Sequence, residues 1–165
     1  RTLRGTIAVL LVVAAISVLV ATLWMPVLQI YGSSMSPTLE AGQIVVSVKT
    51  NQLKTGEVVA FWQGNKLLVK RVIAGPGQWV DIDMDGNVTV DGKELTEDYL
   101  DVKALGNCDV ELPHQVEESR WFLMGDNRDV SVDSRSAAIG DVSKDQIEGK
   151  IVFRIWPLKE FGSMQ

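Results

Sequence analysis

Residues 6–24, TIAVLLVVAAISVLVATLW, form a run of 19 residues without a charge, and no charged side chain occurs from Gly5 to Leu39. As an α-helix at about 1.5 Å per residue, such a run nearly matches the roughly 30 Å hydrocarbon core of a bilayer. The chain is therefore expected to carry one transmembrane helix. Arg1 and Arg4 flank its N-terminal end, the next basic residue is Lys49, and Trp24 stands at the level of an interfacial aromatic. That asymmetry predicts an N-terminus in the cytoplasm and the remainder outside. A cleavable signal peptide and a buried core helix compete with the anchor. The apolar part of the first runs only about 7–15 residues, and the second would show a polar face at this length. Pro26 ends the helix, because it lacks an N–H and disfavours helix in the residue before it. The first residue is Arg rather than Met, so a longer natural chain is expected.

A length of 165 residues suits one soluble domain plus one membrane segment and is too short for two sizeable cores. The expected division is 1–25, a cytoplasmic stub and anchor, and 26–165, the extracytoplasmic domain. Setting aside Arg1 and Arg4 leaves 14 basic against 21 acidic residues, a net −7, which argues against nucleic acid as a partner. The single Cys108 and single His114 permit no internal disulfide, no metal cluster and no usual Ser-His-Asp triad. An isolated thiol and a surface imidazole are the expected roles. No metal or cofactor is expected.

Beyond Pro26 the chain reads as short runs rich in branched residues: 43–48, 57–62, 66–74, 87–92, 120–124 and 150–156. Their length and spacing predict strands. Gly64-Asn65, Asp85-Gly86 and Asp91-Gly92 are expected turns, the last two good hairpin signals. The fold class is thus mainly β, a mostly antiparallel sheet domain behind a single N-terminal helix. Only 144–149 and 94–100 read as locally helical, and the more polar stretch 83–118 is a candidate insertion or subdomain.

Ser33, Ser34 and Ser36 lie in the segment SSMSPTL, about ten residues beyond the apolar run. A serine becomes a useful nucleophile when a neighbouring base removes its proton, and with histidine unavailable the base is Lys, Asp or Glu. Lysine serves only when neutral. That requires a water-poor setting, because lowering its pKa from about 10.4 to about 7–8 is a matter of desolvation. In KLLVKRVIA (66–74), strand geometry puts Leu68, Lys70 and Val72 on one face and Val69, Arg71 and Ile73 on the other. Lys70 is thereby well placed for desolvation, although a lysine snorkelling at a strand edge would read the same way. Residue physics alone does not choose among the three serines.

The segments GSSMSPTL (32–39), GEVVAF (56–61), KRVIAGPG (70–77) and GDNRDVSVDSR (125–135), in this order behind an N-terminal anchor, resemble the conserved boxes of bacterial type I signal peptidases. The likeness is to the Gram-positive members. It covers most of the chain and implies a membrane-bound Ser/Lys endopeptidase that removes signal peptides after Ala-x-Ala-like sites. Its implied partners are secretory preproteins emerging from the translocation machinery, and membrane lipid. The resemblance makes Ser34 the nucleophile, with its N–H as one oxyanion donor, and Lys70 the general base. It makes Ser131 the hydroxyl that orients the amine, Asp133 a buttress paired with Arg135, and Asp126 the partner of Arg71. Leu28, Ile30, Met35, Leu39, Leu68 and Val69 match positions that line shallow pockets for small side chains, with an extended peptide adding to strand edges near 28–34 and 67–70. Three departures stand out. Gly32 replaces a hydroxyl that supplies a second oxyanion donor in some relatives, and Glu57 and Gln78 stand where Asp is common. The competing readings are a catalytically silent anchored β domain that binds exported peptides, and a self-cleaving Ser/Lys repressor. Intact Ser34 and Lys70 disfavour the first, and the anchor disfavours the second.

Overall fold

The computed structural model describes residues 2–50 and 52–164, so Arg1, one of the two flanking arginines, lies outside the described residues. A single helix, α1 (Thr2–Trp24), precedes the β domain and packs none of its apolar residues into it. Its span Leu3–Trp24 has a mean hydropathy of 2.8 over its most apolar window and is long enough to cross a bilayer. Met25 closes the last turn with an N–H bond to the Ala21 carbonyl, and Pro26 turns the chain into strand β1 (Val27–Gln29).

The main sheet is antiparallel throughout. Its order is β1, β2 (Ile44–Val48), β11 (Ile147–Trp156), β3 (Val58–Gln63), β4 (Lys66–Ala74), β9 (Arg120–Met124) and β10 (Val142–Ser143), with β12 (Gly162–Ser163) alongside β11. A second, four-stranded sheet runs β7 (Lys93–Glu94), β6 (Val88–Val90), β5 (Trp79–Ile82), β8 (His114–Gln115). It begins at Trp79, four residues before the expected insertion. Two-residue turns at Gly64-Asn65 and Asp91-Gly92 join β3 to β4 and β6 to β7 as the sequence suggested.

The run VVAF on β3 is apolar at every position because the sheet is covered on both faces. Val58 and Ala60 join Ile30, Met35, Leu39, Val45 and Ile151 on one face. Val59 and Phe61 join Val72, Trp121, Leu123 and Val142 on the other. A third cluster, including Ile73, Val80, Val88, Val116 and Phe122, binds the smaller sheet to β4 and β9.

Three local expectations are corrected. Residues 94–100 are not helical, because Glu97 turns inwards to accept from Arg128 and the Tyr99 ring turns in against the Arg71 guanidinium. In 144–149 only Lys144–Gln146 make a single 3₁₀ turn, closed by Gln146 Oε1 accepting from the Ser143 N–H and hydroxyl, and Ile147 already opens β11. His114 is half-buried rather than free on the surface. Its Nε2 lies 2.9 Å from Asp141 Oδ1, and its ring packs 5.5 Å from that of Phe122, tying the small sheet to the strand before β11.

Candidate active site

Strand β4 is paired with β3 from Lys66 to Arg71, but β9 covers its other side only from Arg71 onward. The outer edge of residues 66–70 is therefore free. β1 pairs only with β2 and presents the second free edge. Between the two lies a cavity of about 520 Å³, lined on one side by residues 27–31 and on the other by 67–70, with Ser34 and Lys70 at one end.

Lys70 is 3% exposed and donates from Nζ to Ser34 Oγ at 2.7 Å. Burial is the main cause that lowers its pKa below the ordinary lysine value. The carboxylates of Asp133 and Asp126 pull it back up, and the Arg135 guanidinium pushes it further down. Ser34 is half-buried and opens the turn that runs to Leu39. Among the described residues, no acceptor takes up its N–H. Gly32 has φ +77°, with open space where a Cβ would stand. The left-handed conformation suits glycine there.

The Ser34 turn is held from behind by the loop after β9. Asn127 N–H donates to the Ser34 carbonyl at 3.0 Å. Gly125 is irreplaceable at this junction, since a Cβ on it would overlap both Ser131 Oγ and the Ser34 carbonyl oxygen. Ser131 is 2% exposed and its Oγ has no hydrogen-bond partner among the described residues. It lies near enough to Asp133 to help hold that charge, but in no geometry that makes a directed bond. Asp133 Oδ2 accepts from Gly125 N–H at 2.9 Å and from Arg135 Nη2 at 2.9 Å. Burial pushes its carboxyl up, but the Arg135 contact and the Gly125 N–H outweigh it and leave the pKa lowered. Arg71 forks onto Asp126 through Nε at 2.9 Å and Nη2 at 2.6 Å. Its Nη1 donates to the Gly56 carbonyl at 2.6 Å, and Thr38 Oγ1 donates to the same Asp126 carboxylate.

Sequence reasoning missed three members of this support. Arg128, fully buried, donates to Glu97 at 2.6 Å and to the Gly125 carbonyl at 3.1 Å. Tyr99 lies under the Arg71 guanidinium at 3.8 Å and donates to Glu97 at 2.9 Å. Arg128 does stand in the quoted last box. Glu97 and Tyr99 sit in a charged stretch that reads as solvated, and no local pattern marks them.

Of the six expected pocket residues, Leu28, Ile30, Met35, Leu68 and Val69 line the cavity. Leu39 does not. It is fully buried in the core cluster with Val45 and Ile151, because the turn after Met35 carries it beneath the sheet. Glu57 and Gln78, the two departures, both serve their loops. Glu57 accepts from Lys150 Nζ at 2.6 Å and the Lys54 N–H at 2.9 Å, and Gln78 accepts from the Gly75 N–H at 2.8 Å.

A half-buried serine in contact with a buried, desolvated lysine at one end of a groove has a geometry compatible with the serine–lysine variant of nucleophilic catalysis. Residues 3–156 match the family model described as signal peptidase, peptidase S26. The chain is 39% identical over 153 residues to signal peptidase IB of Staphylococcus aureus, covering 80% of this chain and 78% of that protein. To signal peptidase I of Bacillus licheniformis it is 32% identical over 169 residues, with 93% and 88% covered. A crystal structure of a signal peptidase I from Enterococcus faecalis aligns with a TM-score of 0.50 at 25% identity, covering 62% of this chain and 98% of that one. This chain belongs to the signal peptidase family, peptidase S26.

Proposed function

We propose that this chain is a membrane-anchored Ser/Lys endopeptidase that removes signal peptides from exported preproteins, with Ser34 as nucleophile and Lys70 as base. The observation that carries the reading is the 2.7 Å contact from Lys70 Nζ to Ser34 Oγ, between a buried amine and the inner end of an open groove. Neutral Lys70 takes the Ser34 proton as Oγ attacks the scissile carbonyl. The Ser34 N–H faces the oxygen that becomes negative. Lys70 then gives the proton to the leaving amine, and a water deprotonated by the same amine releases the acyl group. The orienting role that the motif gives to Ser131 has no bond to Lys70 behind it in this structure; its buried, unpaired Oγ beside Gly125 is the hydroxyl available to the amine during the reaction. Asp133 with Arg135 and Asp126 with Arg71 hold that scaffold rigid. With Gly32 in place of a hydroxyl, the second oxyanion donor is a backbone group or water, which bears on roughly 3 kcal/mol of transition-state stabilisation.

In the groove an extended substrate adds as a strand parallel to β1 and β4, since both run towards the dyad. Leu28, Ile30, Met35, Leu68 and Val69 leave shallow apolar walls suited to small residues at the first and third positions before the cut, as in Ala-x-Ala. The domain 26–165 works on the outer face of the plasma membrane, on preproteins leaving the translocation machinery and in contact with lipid. Residues 83–118 form its added subdomain, and the N-terminus lies in the cytoplasm. The test is cleavage of an Ala-x-Ala precursor by the detergent-solubilised protein. Ser34→Ala and Lys70→Ala each remove it. Retained cleavage in either variant contradicts the dyad.

A further inference from the structure

The groove does not end at the pockets for the first and third residues. The same cavity continues to Val27 on one wall and to Trp62, Asn65 and Leu67 on the other. Trp62 and Leu67 are cross-strand partners on β3 and β4, so their side chains share a face. That face also carries Val58 and Ala60, the floor under Ile30 and Met35. Trp62 is 43% exposed, but its ring is fixed, because Nε1 donates to Glu148 Oε2 at 2.9 Å. Val27, 57% exposed, faces the same end from β1. Single exposed apolar residues are ordinary. Here two stand on opposite walls of one cavity, and one of them is held by a hydrogen bond.

Strand geometry says which substrate residue meets them. A strand parallel to β4 advances about 3.3 Å per residue and repeats its facing side chain every second residue. Counting the residue that carries the attacked carbonyl as first and placing it level with Val69, whose side chain shares the face of Leu67 and Trp62, the third and fifth share that face. The fifth lies about 13 Å back, level with Asn65 at the Trp62–Leu67 end of the cavity. We infer that Trp62, with Leu67 and Val27, forms an outer subsite that takes a bulky apolar side chain at the fifth position before the cut. This inference rests on the proposed peptidase reading.

The experiment measures peptide affinity by fluorescence anisotropy on the full chain in detergent, carrying Ser34→Ala so that nothing is cleaved. The peptides hold Ala at the first and third positions and Leu, Phe, Gly or Asp at the fifth. The Leu and Phe peptides bind about tenfold more tightly than the Asp peptide, within the range a small apolar pocket supplies. Adding Trp62→Ala reduces that preference to under threefold, whereas Trp62→Phe retains most of it, which excludes misfolding as the cause. Equal affinity for all four peptides, or a full preference surviving Trp62→Ala, overturns the subsite. Wild-type protein given the same peptides tests the activity separately. Absent cleavage with an intact Trp62-dependent preference counts against the peptidase reading and leaves the subsite standing.

Discussion

The two halves of β4 share one strand and have opposite fates. Residues 71–74 are fully buried and covered by β9, with Arg71 and Val72 bonded on the other side as well, and Arg71 is locked onto Asp126, Thr38, Gly56 and Tyr99. Residues 66–70 are paired on one side only and face the groove. The boundary falls between Lys70 and Arg71, adjacent basic residues on opposite faces. One is stripped of water with a serine hydroxyl as its polar contact, and the other is saturated with acceptors. The contrast shows how one short motif, Lys-Arg, places a desolvated amine beside a guanidinium saturated with acceptors. Charge is stabilised where Asp126 answers it and destabilised where burial dominates.

The largest expected break of that contrast is at Lys70. Lys70→Met lowers kcat by at least about 10³, the scale at which an activated serine loses its base. The same change raises the melting temperature at neutral pH by a few degrees. Burial holds the Lys70 pKa below its unfolded value of 10.5, so the folded state disfavours the ammonium relative to the unfolded chain. The destabilisation is full below the folded pKa and fades as pH rises towards 10.5. The stability gain of Lys70→Met therefore shrinks along the same course, which melting curves between pH 6 and 10 would record.

The paired half responds differently. Asp126→Ala leaves Arg71 buried without its partner and costs about 3–5 kcal/mol, seen as a lower denaturation midpoint in urea. An intact midpoint would mean that Thr38, Gly56 and Tyr99 hold Arg71 without it. On the open half, Val69→Phe narrows the groove, raising KM several-fold while shifting the melting temperature little. A comparable loss of stability there would show that residues 66–70 are scaffold after all. The smallest effect is on pH dependence. The rate rises with pH as Lys70 loses its proton, and Asp133→Asn, by removing a carboxylate that favours the ammonium, moves that limb to lower pH.

Much of this was legible in the sequence. The strand 66–74 and the strand 120–124 fall where branched runs sit between turn residues. The unforeseen strands β5, β7, β8, β10 and β12 are two to four residues long. They exist through pairing with a distant partner, as with Val142 opposite Trp121. Local propensity carries little of that information. The same physics hid Glu97. Its charge reads as solvated until Arg128, 31 residues later, is buried against it. Leu39 departs from expectation for a related reason: an apolar residue beside a candidate nucleophile can line the site or support it from below, and only the turn geometry decides. The proposed dyad is legible only in the order of motifs, since three neighbouring serines are equivalent until Lys70 approaches one of them.

That choice among serines is the claim most open to direct test. A precursor peptide mixed with the full-length protein in detergent and quenched in acid within the first turnover leaves the acyl group on the enzyme, and mass spectrometry of the digest locates it. The acyl group is expected on Ser34, with its yield rising with pH along the Lys70 limb and vanishing in Lys70→Ala. An acyl group on Ser33 or Ser36, or undiminished acylation in Lys70→Ala, would contradict the account.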